Sequence, residues 1–150
     1  MNVLLDRDGI AGLIPHAGSM CLWDALLNSD EHSAHCRTES HRAAANPLRR
    51  DGQLAAVHLI EYGAQAMAVH GGWMARQNRA AGDGAGARPG VLAAVRQFEV
   101  HVARIDDLAA PLECTVRRLV ANAGGWMYEF RLFAGALTLA GGRASVLHAS

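Results

Sequence analysis

Residues 54–75, LAAVHLIEYGAQAMAVHGGWMA, constrain this chain more than any other stretch. Fifteen of the 22 are apolar, three are glycine, and only His58, Glu61, Gln65 and His70 are plainly polar. No Pro interrupts the run, its Ala-rich composition favours helix, and Asp51 precedes it as a candidate N-cap. A helix that is apolar around most of its circumference must be covered on nearly all sides. Crossing a membrane would be another way to cover it, since about 20 apolar residues suffice. Glu61 and two histidines inside the run, and the small size of its many alanines, argue against that. The expectation is a buried helix and no membrane span.

The cover must come from the rest of the chain, most of which reads as strand. Phe98, Val100 and Val102 alternate with Gln97, Glu99 and His101. Leu112, Cys114 and Val116 alternate with Glu113, Thr115 and Arg117, and Trp126, Tyr128, Phe130 and Leu132 with Met127, Glu129 and Arg131. Period-2 alternation of this length marks half-buried antiparallel strands. Asn122-Ala123-Gly124-Gly125 joins two of them as a hairpin signal. A last strand over residues 136–147 carries Gly141-Gly142 as a bulge or bend. Upstream, residues 20–27 and 33–38 form a hairpin around Asn28-Ser29-Asp30. Residues 76–90, RQNRAAGDGAGARPG, read as a surface loop. One helix and one sheet bury each other's apolar faces, so the reading is an α+β fold: a curved antiparallel sheet wrapped around one long central helix, one domain over residues 1–150.

Composition removes whole chemistries. All 14 basic side chains are Arg, and 14 acidic residues balance them. Without Lys there is no Schiff base, no pyridoxal-phosphate anchor and no Walker-type phosphate loop. Zero net charge argues against nucleic acid as a partner, and 51% hydrophobic against 19% charged residues is a globular balance. Cys21, Cys36 and Cys114 are odd in number and form no C-x-x-C pair, which points to buried free thiols in a reducing cytoplasm. The opening MNVLLDRDG, with Asp6 and Asp8, lacks the apolar run of a signal peptide. His32, His35 and His41 have no ligand spacing, so no metal is expected. Trp23, Trp73 and Trp126 read as core.

The polar residues of the long run are not scattered. At about 100° per residue, His58, Glu61, Tyr62 and Gln65 fall within an arc of about 100°, with His70 off to one side. A carboxylate on a buried helix is costly unless it is paired or opens to a cavity, and a carboxyl so placed suits a general acid. In the preceding loop His41 stands twenty residues before Glu61, and a His with a carboxyl is a common acid–base pair. The alternative is that the stripe only satisfies nearby backbone.

Four segments then carry a resemblance: Ile14-Pro15-His16; Met20-Cys21-Leu22-Trp23-Asp24; Asn46-Pro47-Leu48-Arg49-Arg50-Asp51-Gly52; and Ile60-Glu61-Tyr62-Gly63-Ala64-Gln65-Ala66-Met67-Ala68. The chain resembles the hotdog-fold 3-hydroxyacyl-acyl-carrier-protein dehydratases, and among them the small dehydratase-like proteins encoded with aryl polyene biosynthesis. The resemblance implies a hotdog fold and a dimer whose sites lie at the interface. It implies dehydration of 3-hydroxyacyl thioesters to trans-2-enoyl thioesters, in polyene or fatty-acid-like biosynthesis, with no cofactor. Glu61, within Glu-x-x-x-Gln, is then the acid that protonates the leaving hydroxyl, and a loop His takes the α-proton. The position matching that His by spacing is Pro47, so His41 is the stand-in, with His58 and His16 as further options. His16, Asn46, Pro47, His58 and Gln65 are the expected substrate-binding residues. The implied partners are an acyl carrier protein with its phosphopantetheine-linked chain, docked on Arg42, Arg49, Arg50, Arg117 and Arg118, and a second copy or another hotdog subunit. A non-catalytic subunit paired with an active dehydratase, and an acyl thioesterase, are the competing readings.

Overall fold

The computed structural model describes residues 2–14, 20–80, 82, 90–122 and 124–148. Its elements are β1 (Leu5–Asp6), α1 (Arg7–Ala11), β2 (Ala25–Ser29), β3 (Ser33–Thr38), 3-10 turns at Ser40–Arg42 and Ala56–His58, α2 (Leu59–Ala80), β4 (Gly90–Val100), β5 (Leu112–Asn122), β6 (Gly125–Ala134) and β7 (Leu137–His148). The strands form one antiparallel sheet in the order β1-β2-β3-β5-β6-β7-β4. α2 packs on β3, β5 and β6. The expected layering, one long helix against one antiparallel sheet, is what forms.

Alternation places the core. Ala34, Cys36, Cys114, Val116, Tyr128, Phe130 and Leu132 are buried and meet Leu59, Tyr62, Ala66 and Val69 of α2. Cys36 and Cys114 face each other in register. All three cysteines are free and buried, and burial pushes the Cys36 thiol up to about 12, which leaves it inert. Trp23 is fully buried, and Trp73 and Trp126 are half-buried against the same core. Gly125 closes the β5–β6 hairpin at φ 154°, where a Cβ would strike the Val146 carbonyl.

Three expectations shift. The helix begins at Leu59, not near residue 54, because Ala55 bridges Arg104 and Ala56 N–H donates to Ala103 O (3.0 Å). Asp51 is therefore no N-cap; it sits at φ 53° in the turn before that bridge. At its other end α2 runs on to Ala80, through the first residues of the expected loop. The bulge lies on β4, where Gln97 (φ 54°) and Phe98 together oppose Gly142 between the pairs Arg96–Arg143 and Glu99–Gly141. This breaks the period-2 pattern, and Val100 is 39% exposed. A Cβ on Gly142 would press on Arg96 O at 3.1 Å and on the Phe98 Cα at 3.2 Å, so the bulge needs that glycine.

Among the described residues, one flank of α2 is buried and the other half-buried. Leu59, Tyr62, Gly63, Gln65, Ala66, Met67, Val69 and His70 are buried. Ile60, Ala64, Ala68 and Gly71 are half-buried, and Glu61 is exposed. No helix among the described residues is long and apolar enough to cross a membrane.

Candidate functional site

The first turns of α2 are fixed from outside the helix. Asp106 accepts from Leu54 N–H (2.9 Å) and takes the fork of Arg104, whose Nε lies 3.0 Å from Oδ1. The guanidinium holds the Asp106 carboxyl well below the usual carboxylate range. This clamp sets where the chain turns into the 3-10 turn that carries His58.

Two of the resembling segments are tied to the helix by a directed chain of buried and half-buried hydrogen bonds. The Ser40 hydroxyl has one proton and gives it to Leu22 O (2.7 Å), so Tyr62 donates its own to Ser40 Oγ (2.8 Å). Tyr62 then accepts from Asn46 Nδ2 (2.9 Å), whose other proton goes to Ser40 O (2.8 Å). Asn46 Oδ1 accepts from Leu48 N–H (2.9 Å) across Pro47. One turn on, Gln65 spans the first loop, accepting from Leu22 N–H (2.6 Å) and donating to Met20 O (2.8 Å). Trp23 Nε1 donates to Tyr62 O (2.9 Å) and meets the Tyr62 ring edge-on. Asn46 and Gln65 are thus spent on backbone and on Tyr62, and Pro47 completes the Asn46 turn. Tyr62 and Ser40 do as much positioning as the residues singled out from sequence; the signal for Tyr62 was its place in the polar arc.

Glu61 meets His58. Their contact is 3.1 Å, between His58 Nδ1 and Glu61 Oε2, on the open flank, with the side chains 26% and 50% exposed. His41 is elsewhere in kind: it is fully buried, and its Nε2 lies 3.1 Å from Leu108 O. A carbonyl only accepts, so Nε2 carries the proton and Nδ1 keeps a lone pair, buried with no hydrogen-bond partner. Burial lowers the His41 pKa, against the pull of the Leu108 and Ala110 carbonyls. His16 lies outside the described residues. Arg49, an expected docking residue, instead reaches three carbonyls of its own loop, Ala43, Gly52 and His41. Among the described residues no group of three metal-ligating side chains comes together.

A second polar pair was not singled out from sequence. His70, fully buried, places Nε2 2.9 Å from Asp30 O and Nδ1 2.7 Å from the Tyr128 hydroxyl. The carbonyl fixes the proton on Nε2, so Tyr128 donates to Nδ1. Burial lowers the His70 pKa and raises that of Tyr128 to about 12.

A curved antiparallel sheet packed on one long helix is the hotdog fold, and solved structures share it. The dehydratase heterocomplex ApeI:P from Xenorhabdus doucetiae superposes at a TM-score of 0.81 with 22% identity, over 94% of this chain and 91% of that one. Zebrafish thioesterase superfamily member 2 gives 0.61 with 14% identity over 97% and 99%. A hypothetical thioesterase of Streptococcus pneumoniae TIGR4, crystallised with coenzyme A, gives 0.59 with 8% identity over 83% and 84%. No curated protein matches the chain significantly. The sequence itself matches the ApeP-like family, described as ApeP dehydratase, over residues 9–150, and the chain belongs to that family.

Proposed function

We propose that this chain is a subunit of a cytoplasmic dehydratase that converts 3-hydroxyacyl thioesters, held on an acyl carrier protein, to trans-2-enoyl thioesters, with His58 and Glu61 as its acid–base pair. The observation that carries the reading is the 3.1 Å contact between the two on the open flank of α2, in a chain of a dehydratase family. A carboxylate at Nδ1 selects the tautomer whose Nε2 bears the lone pair. That nitrogen takes the α-proton, and the electron pair moves toward the thioester carbonyl. The C3–O bond then breaks, and the proton held by the pair leaves with the hydroxyl as water. The pair ends as it began, and no cofactor takes part. His41, sealed in the core, serves the loop and not the substrate. The heterocomplex among the similar structures supports pairing with a second hotdog subunit.

Purified chain, alone and co-expressed with a cognate hotdog partner, is to be mixed with 3-hydroxyacyl carrier protein and the enoyl product followed by mass spectrometry. Glu61→Gln and His58→Ala should each lower turnover by about 10²–10⁴-fold with unchanged melting. Full turnover in both variants refutes the assignment. Release of free carrier thiol without enoyl product would instead make the chain a thioesterase.

A further inference from the structure

On the outer face of the sheet, away from α2, three arginines share one row. Arg96 of β4 lies directly opposite Arg143 of β7, Arg143 opposite Glu129 of β6, and Glu129 opposite Arg117 of β5. The row holds one carboxylate, and its contact with Arg143 is long, 3.9 Å between half-exposed side chains. Like charges directly opposite on neighbouring strands have Cβ atoms about 5 Å apart and destabilise the pair. The β4 bulge falls at this point, with the non-glycine Gln97 held at φ 54° against Gly142. Left-handed backbone in a non-glycine residue is strained and persists where surrounding structure enforces it. Arg96, Gln97, Met127, Arg143 and Ser145 line a groove of about 360 Å³, with no acidic residue in its wall.

We propose that this groove binds a phosphoryl group, with Arg96 and Arg143 as its two clamps. Each guanidinium presents a planar fork of donors that matches phosphate oxygens in pairs. A carboxylate fills one fork, whereas a phosphoryl group has oxygens for both. The Ser145 hydroxyl and the Gln97 amide supply further donors. The bound anion removes the repulsion that the bare pair carries. The groove exceeds a phosphoryl group in volume, and the Met127 side of its lining suits the chain of a phosphoester. The site stands independently of the acid–base pair, since it lies on the other side of the sheet.

The test compares melting in sodium phosphate and in sodium chloride at equal ionic strength. For the wild type, phosphate should raise the midpoint by about 3 °C. Arg96→Gln and Arg143→Gln should lose that rise, while Arg117→Gln, beyond Glu129, keeps it. In chloride at low ionic strength Arg96→Gln should melt above the wild type, because it removes the like-charge contact and leaves the Arg143–Glu129 pair in place. The order of stability therefore crosses between the two salts, which loss of a merely structural arginine cannot produce. Phosphopantetheine added in place of phosphate distinguishes the source: tighter binding marks a carrier's prosthetic arm, equal binding a free phosphate. No phosphate-specific rise in the wild type, or the same rise in Arg96→Gln and Arg143→Gln, overturns the proposal.

Discussion

Single side chains in this molecule are held by partners whose donor directions can be worked out, and that makes their removal readable. Tyr62 is fully buried and its hydroxyl both donates to Ser40 and accepts from Asn46. In Tyr62→Phe the ring still packs against Trp23, but one Asn46 N–H loses its acceptor inside the protein. A buried polar group left unpaired costs about 1–3 kcal/mol, so the unfolding free energy from urea titration should fall by that amount, through a lower midpoint at unchanged slope. His70 is read by pH. Burial lowers its folded pKa below the ordinary value of about 6.5, so the unfolded chain binds the proton more readily. Stability is then complete above about pH 6.5 and is lost as pH falls below it. Asp30, His32, Arg118 and Tyr128 surround the ring, and the nearby cations add to the penalty for protonation. His70→Gln, able to donate to Asp30 O and accept from Tyr128, should flatten the acid side of a stability profile taken from pH 8 to pH 5. An unchanged slope there would assign the acid sensitivity to His41 instead.

At the scale of elements, two adjacent glycines of α2 separate the covered flank from the open one. A Cβ on Gly72 would strike the Leu13 carbonyl, whereas one on Gly71 meets nothing within 4 Å. Gly71→Ala should stabilise the isolated chain by up to about 1 kcal/mol through helix propensity. Gly72→Ala should destabilise it, and denaturant titration of the pair reads both signs. This difference shows what a sequence discloses and what it does not. The helix was legible because 15 apolar residues in 22 need cover, and the strands because alternation survives in β5 and β6. The helix start was not, because it is set by Asp106, whose carboxylate holds Leu54 N–H from a distant segment. Nor was the β4 bulge, which depends on a glycine in another strand. The polar arc located Glu61 beside His58, but the tie from Asn46 through Tyr62 and Ser40 to Leu22 joins three segments that no local period connects.

For the whole molecule, the open surfaces converge on one expectation. α2 covers β3, β5 and β6, while β4, eleven residues long, is an edge strand that pairs among the described residues with β7 alone. A long edge strand is a template for another chain unless something covers it. The half-buried flank of α2 presents Ile60, Glu61, Ala64, Ala68 and Gly71, next to Val57, which is 58% exposed. Small residues there let a second backbone approach closely, and an approaching subunit would exclude water from around Glu61 and His58, which strengthens their interaction. The proposed pairing with a second hotdog subunit therefore has a specific consequence. Ala68→Glu, at a half-buried position beside the core, should cost the isolated chain about 1 kcal/mol while leaving it folded, and should abolish co-purification with the partner and turnover of the mixture. Hydrogen exchange of the wild-type pair should show new protection along β4 and on the Glu61 side of α2. Normal pairing and turnover by Ala68→Glu, with exchange unchanged in both places, would mean that this subunit meets its partner elsewhere.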